Sequence, residues 1–129
     1  MRCLIVDDSA DFVYAARGLL ECQGVSVVGV ASTSAEALQC FEELRPDVTL
    51  VDINLGGESG FELAEQLHRV GGPTPSPVIL TSTHAAEDFA DMIETSPAAG
   101  FLSKSALTGA AIRDLVGGSA GVEDRKSVV

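Results

Sequence analysis

The segment DVTLVDINLGGESGFELAEQLHRVGG, residues 47–72, changes its periodicity once and breaks it once. Val48 to Val51 form a short, mostly apolar run that stops at Asp52. A glycine-bearing stretch follows. From Ser59 onward, Phe61, Ala64, Leu67 and Val70 recur at the spacing of one helix face. The reading is strand, loop, helix. A strand interior disfavours Asp, and an unpaired buried charge is expensive. Asp52 therefore either ends the strand or points into a site that needs it.

The same unit repeats in both directions along the chain. RCLIVDD opens with a buried-type strand and halts at Asp7 and Asp8. A helix follows, with Ser9 as its N-cap, Phe12, Ala16, Leu19 and Leu20 as its stripe, and Gly24 as its stop. Residues 25–31 make a second strand. The helix after it is capped by Ser34 or Thr33, carries Ala37, Leu38, Phe41 and Leu44, and ends before Pro46. Beyond the opening segment, PTPSP is a rigid loop. VILTS is a fourth strand, AEDFADMIETS a short helix, AGFLSK a fifth strand and LTGAAIRDLV a last helix. The small, polar residues 118–129 read as a flexible tail or the start of a linker. Five strands alternating with five helices predict a doubly wound parallel sheet in three α/β/α layers, within one domain over residues 1–117.

Composition narrows the function. The chain has 129 residues, 46% of them hydrophobic, and a formal net charge of −11. Such acidity repels nucleic acid and anionic membranes and favours cations and basic partner surfaces. Cys3, Cys22 and Cys40 form no CxxC and, with only two histidines, no zinc pattern. They read as small buried hydrophobes in a reducing cytosol. No signal-peptide pattern or membrane-length apolar run is visible, so the expected location is cytoplasmic.

Ligands of open parallel sheets bind at the carboxyl ends of the strands. Those ends carry Asp7 and Asp8, then Asp52, then Thr81 and Ser82, then Lys104. Three carboxylates cannot converge without a cation. Oxygen ligands without Cys or His suit Mg²⁺ or Mn²⁺. A lysine at a buried strand end calls for an anion, and a phosphoryl group with a divalent cation satisfies every member of the set.

In this order and spacing, VDDS, LVDINLGGESG, VILTST and GFLSKS resemble the receiver (CheY-like) domain of two-component response regulators. The resemblance covers residues 2–116. It implies the flavodoxin-like strand order 2-1-3-4-5. It implies that Asp52 accepts a phosphoryl group from a histidine kinase or histidine phosphotransfer protein. It also implies Mg²⁺ held by Asp7, Asp8, Asp52 and the Asn54 carbonyl, with Lys104 on a phosphoryl oxygen. The switch hydroxyl is Ser82, with Thr81 as the alternative, joined by the Thr83 backbone N–H. Phe101 is the switch aromatic, and Asn54 and His84 tune dephosphorylation. Such a domain is no enzyme beyond its own phosphorylation and dephosphorylation.

By the same resemblance, kinase specificity lies on the first helix around Asp11, Tyr14, Ala15 and Gly18. A downstream protein or effector domain reads the fourth-helix and fifth-strand surface, which also leaves a homodimer open. Nucleic acid and membrane are not partners. The chain departs from the family pattern at four positions. Gly56 replaces a common proline and predicts a looser loop. Thr83 replaces a common alanine and narrows access. Ser105 replaces a common proline, and Phe101 lacks the hydroxyl of the frequent tyrosine. Two other readings stand beside this one. One is a pseudo-receiver that binds partners without phosphate. The other is a Mg²⁺-dependent aspartyl-phosphate phosphatase, disfavoured because VDIN sits on the third strand and Asn54 replaces a second Asp.

Overall fold

The computed structural model describes residues 1–72, 75–84 and 86–117. The expectation for residues 118–129, and part of the proline-rich loop, lie outside the described residues. The elements are β1 (Arg2–Val6), α1 (Ala10–Cys22), β2 (Ser26–Ala31), α2 (Ser34–Leu44), β3 (Val48–Asp52), α3 (Gly60–Val70), β4 (Val78–Ser82), α4 (Ala90–Thr95) and β5 (Gly100–Ser103). Residues 109–117 form a last helix, α5. Short 3-10 turns precede α4 and follow β5. A two-residue hairpin, Asn54–Leu55 with Glu58–Ser59, stands between β3 and α3.

The sheet order is β2-β1-β3-β4-β5 and every pairing is parallel. The expected strand order and five-helix architecture are therefore those of the structure. Residue alternation divides the core between the two faces. Leu4, Val6, Val51 and Leu80 face α2 and α3, where Phe41, Leu63 and Leu67 pack. Cys3, Ile5, Leu50 and Ile79 face the other way, onto Ala16 and Leu20 of α1 and Ile112 of α5. Strands buried on both sides read as near-continuous apolar runs, as β1 and β3 do.

Helix faces differ in detail from the sequence reading. α3 turns Gly60, Leu63, Ala64 and Leu67 inward, while Val70 is 45% exposed. Leu63 falls outside the three-residue spacing, which drifts off the 3.6-residue period within two turns. In α1, Leu20 is buried and Leu19 is 40% exposed. Thr33, not Ser34, is the N-cap of α2: its side chain accepts from the Glu36 N–H. Only Cys3 is fully buried, and burial pushes its thiol up to about 12. Cys22 is exposed and Cys40 half-buried, because each sits off its helix's inward stripe. β2 starts one residue later than expected, and β5 stops at Ser103 so that Lys104 opens a turn.

α4 is the least anchored helix. It has no buried residue and no side-chain cap. Helix stability in proteins comes mainly from tertiary packing. Hydrogen exchange by mass spectrometry should therefore find the amides of α4 exchanging at least about tenfold faster than those of α1 and α3. Equal protection across the three helices would contradict this.

No helix among the described residues is long and apolar enough to cross a membrane.

Candidate functional site

The site begins with the turn that leaves β1. Asp7 is buried, and its N–H donates to the Ala31 carbonyl, extending the ladder one residue past the strand. Its Oδ1 accepts from the Ser9 N–H at 2.8 Å, and Ser9 Oγ in turn accepts from the Phe12 N–H at 3.3 Å. One residue thus caps α1 and orients Asp7. Asp8 is exposed, beside the hairpin that follows β3.

Asp52 is the last residue of β3 and is nearly buried. Its Oδ1 accepts from the Asn54 N–H at 3.1 Å, and its Oδ2 accepts from Lys104 Nζ at 3.2 Å. Lys104 Nζ also lies 2.7 Å from Asp7 Oδ2. Oxygens of Asp7, Asp8 and Asp52 come within 4.8 Å of one another. Three carboxylates against one ammonium leave two negative charges in a small, partly buried volume. All the ligand atoms are oxygen, so the set suits a hard divalent cation.

The ionisation of the pair follows from its surroundings. Burial raises the Asp52 carboxyl above the ordinary value, and the neighbouring Asp7 charge adds to this. The Asn54 N–H and Lys104 work the other way without prevailing. Burial pulls the Lys104 ammonium down, but hydrogen bonds and charge from Asp7 and Asp52 outweigh it and hold Lys104 above its usual value.

The hairpin has its own chemistry. Gly56 and Gly57 both take positive φ, +55° and +102°. Two positive φ values belong to the tight turns that suit a two-residue hairpin. Proline, fixed near −65°, cannot occupy Gly56, and this accounts for its replacement. A Cβ on Gly56 would also sit 2.9 Å from Asp8 Oδ2. The hairpin is tied down at its far side, where Glu58 Oε1 accepts from Ser34 N–H at the start of α2.

Asp8, Asp52, Asn54, Ser82, Thr83, His84 and Lys104 line one cavity of about 520 Å³. Ser82 is buried at the end of β4, and its Oγ accepts from the His84 N–H at 3.0 Å. Thr83 and His84 are exposed at the mouth. Thr81 is buried in register with Asp52 and Leu102 and does not line the cavity. Phe101 is half-buried against the α2/α3 side of the core and lines a separate groove with Thr83 and His84. Ser105 is exposed, its Oγ 3.0 Å from that of Ser103.

Several residues at the site carried no functional reading in the sequence. Phe61, Phe89 and Met92 complete the cavity wall. The His84 ring meets Phe89 edge-on at 6.0 Å, and Phe89 lies 6.3 Å from Phe61. Phe12 places its ring 4.4 Å from Lys104 Nζ. Each aromatic sits at ordinary core spacing on its own element, so no local signal separates it from packing.

Comparison with known proteins places the chain. The response regulator receiver domain model matches residues 3–115. Response regulator GacA of Pseudomonas viridiflava is 35% identical over 109 residues, 82% of this chain and 49% of that protein. Protein-glutamate methylesterase/protein-glutamine glutaminase 3 of Hahella chejuensis is 36% identical over 88 residues, 68% of this chain and 25% of that protein. The chain thus spans about half the length of one relative and a quarter of the other. Among solved structures, the signal receiver domain of NarL from Mycobacterium tuberculosis superposes with a TM-score of 0.80 at 30% identity, covering 91% of this chain and 96% of that one. With the strand order, the acidic turn and the lysine all in place, this chain belongs to the response regulator receiver domain family.

Proposed function

We propose that this receiver domain takes a phosphoryl group onto Asp52 from a phosphohistidine on a kinase or phosphotransfer protein, and so switches a protein-binding surface. The observation that carries the reading is the Lys104 ammonium spanning Asp7 and Asp52 inside an acidic cluster. A lysine so placed is ready to receive a phosphoryl oxygen at the carboxylate it already touches. The cluster's two uncompensated charges fit Mg²⁺, held by Asp7, Asp8, Asp52 and the Asn54 carbonyl. When bound, the cation neutralises charge on the phosphoryl oxygens.

The chain's own residues do the remainder. A carboxylate oxygen of Asp52 attacks phosphorus, the P–N bond breaks, and the imidazole leaves with the bonding pair, giving an acyl phosphate. Lys104 pairs with one phosphoryl oxygen. Ser82 turns its hydroxyl proton to another, and the Thr83 N–H joins it. Movement of Ser82 disturbs its bond from the His84 N–H, so the strand end shifts and Phe101 moves with it. Asn54 and His84 set how water reaches the acyl phosphate. The kinase reads the exposed side of α1 at Asp11, Tyr14, Ala15 and Gly18. The output surface is α4 with β5.

Intact-mass spectrometry after incubation with acetyl phosphate tests the reading. The expected result is a gain of one phosphoryl group that needs Mg²⁺ and vanishes with chelator. Mg²⁺ alone should raise the thermal midpoint, since a ligand that binds only the folded state stabilises it. No phosphoryl gain together with no Mg²⁺ stabilisation would leave a pseudo-receiver.

A further inference from the structure

Among the described residues, Lys104 meets two carboxylates and one aromatic face. The aromatic face is that of the Phe12 ring, 4.4 Å from Nζ to the centroid. The Lys104 side chain is 12% exposed, so the contact is largely screened from water. An aromatic face attracts a cation through its quadrupole, and more strongly where water is excluded.

Phe12 is also tied to the acidic turn. Its N–H is held by Ser9 Oγ, the Ser9 N–H is held by Asp7 Oδ1, and Asp7 Oδ2 pairs with Lys104. The contacts form a closed circuit from the α1 cap to the ammonium and back. An ammonium has three N–H donors. Asp52 Oδ2 accepts from one at 3.2 Å, and Asp7 Oδ2 stands 2.7 Å from the nitrogen as its ion-pair partner. A third carboxylate would take the last donor, whereas a ring face holds the charge without an acceptor atom.

We propose that Phe12 is a positioning residue for Lys104: its ring holds the ammonium over the gap between Asp7 and Asp52 and leaves one N–H donor for a phosphoryl oxygen. This rests on the phosphoryl-acceptor reading above. Phe12 also packs against the α1/α5 side of the core, so truncation alone would not separate the two roles. Leucine keeps apolar bulk and removes the ring face. Tyrosine keeps both.

The test compares wild type, Phe12→Leu and Phe12→Tyr in the initial rate of Mg²⁺-dependent labelling by acetyl phosphate, in thermal midpoint, and in the NMR shifts of the Lys104 ε-methylene protons. A proton over a ring face is shifted upfield. Phe12→Leu is expected to slow labelling about fivefold and to move the Lys104 signals downfield. Phe12→Tyr should restore both to wild-type values. If Phe12 only packs, Phe12→Leu labels at the wild-type rate although loss of the ring moves the Lys104 signals, and only the thermal midpoint falls. That pattern overturns the proposal. Should the wild type take no phosphoryl group, the phosphoryl reading falls, and the methylene shifts alone decide whether the Phe12 ring lies over Lys104.

Discussion

Asp52→Asn is expected to abolish phosphoryl gain and to leave a folded protein with a higher thermal midpoint. The amide has no anionic oxygen to attack phosphorus, so labelling should fall by at least about a thousandfold. The stability gain has a separate cause. Burial, more than any other influence, holds the folded-state Asp52 carboxyl above its ordinary value. A raised carboxyl binds its proton more tightly in the folded chain than in the unfolded one. Its charge therefore burdens the fold above the folded-state value, and the burden lifts as pH falls through that value. Asparagine is neutral throughout. In metal-free buffer the advantage of Asp52→Asn should be largest near neutral pH and shrink as acid protonates Asp52. Thermal unfolding of both proteins at several pH values checks this. A gap that widens in acid, or persistent one-to-one labelling of Asp52→Asn, would defeat the corresponding half of the argument.

Gly60→Ala should be the most damaging glycine-to-alanine change among the described residues. Gly60 opens α3 directly beneath the end of β3. A Cβ there would lie 2.1 Å from the Asp52 carbonyl oxygen and 2.7 Å from the Ile53 Cα. Neither atom is free to retreat. The Gly60 N–H donates to the Ile53 carbonyl, and the Ile53 N–H donates to the Thr81 carbonyl, both at 3.0 Å. Relief requires pulling α3 away from the sheet or tilting Asp52 out of line with Lys104. The expected loss is about 3 kcal/mol, or roughly 10 °C in thermal midpoint. Gly18→Ala is the control. Gly18 is in the interior of α1 with nothing within 4 Å of its would-be Cβ, so alanine there should be neutral or stabilising, by up to about 1 kcal/mol. Denaturant unfolding of the two variants beside wild type decides the matter. Equal stability of Gly60→Ala and wild type would show that the strand end yields easily.

The two variants also divide what each level of description could have foreseen. Asp52 is legible in the sequence because a carboxylate ending an apolar run is a local anomaly. Gly60 is not, because the crowding comes from a carbonyl eight positions back, brought close by the hairpin.

The sequence by itself determined the order of elements, the parallel sheet, and the placing of Asp7, Asp8, Asp52 and Lys104 at its carboxyl edge. These follow from local quantities: apolar runs that end at polar residues, helical spacing between them, and caps such as Ser9. The family resemblance added the strand order. Tertiary structure alone decided the rest. Lys104 and Asp52 are 52 residues apart, and their contact exists only because β5 and β3 flank β4 in one sheet. The ring of Phe12 over Lys104, the bond from Ser34 to Glu58, and the aromatic run from Phe61 through Phe89 to His84 join elements remote in the chain. Periodicity says which side of a helix turns inward. It does not say which atom of another element waits there, because that depends on how helices seat against a twisted sheet.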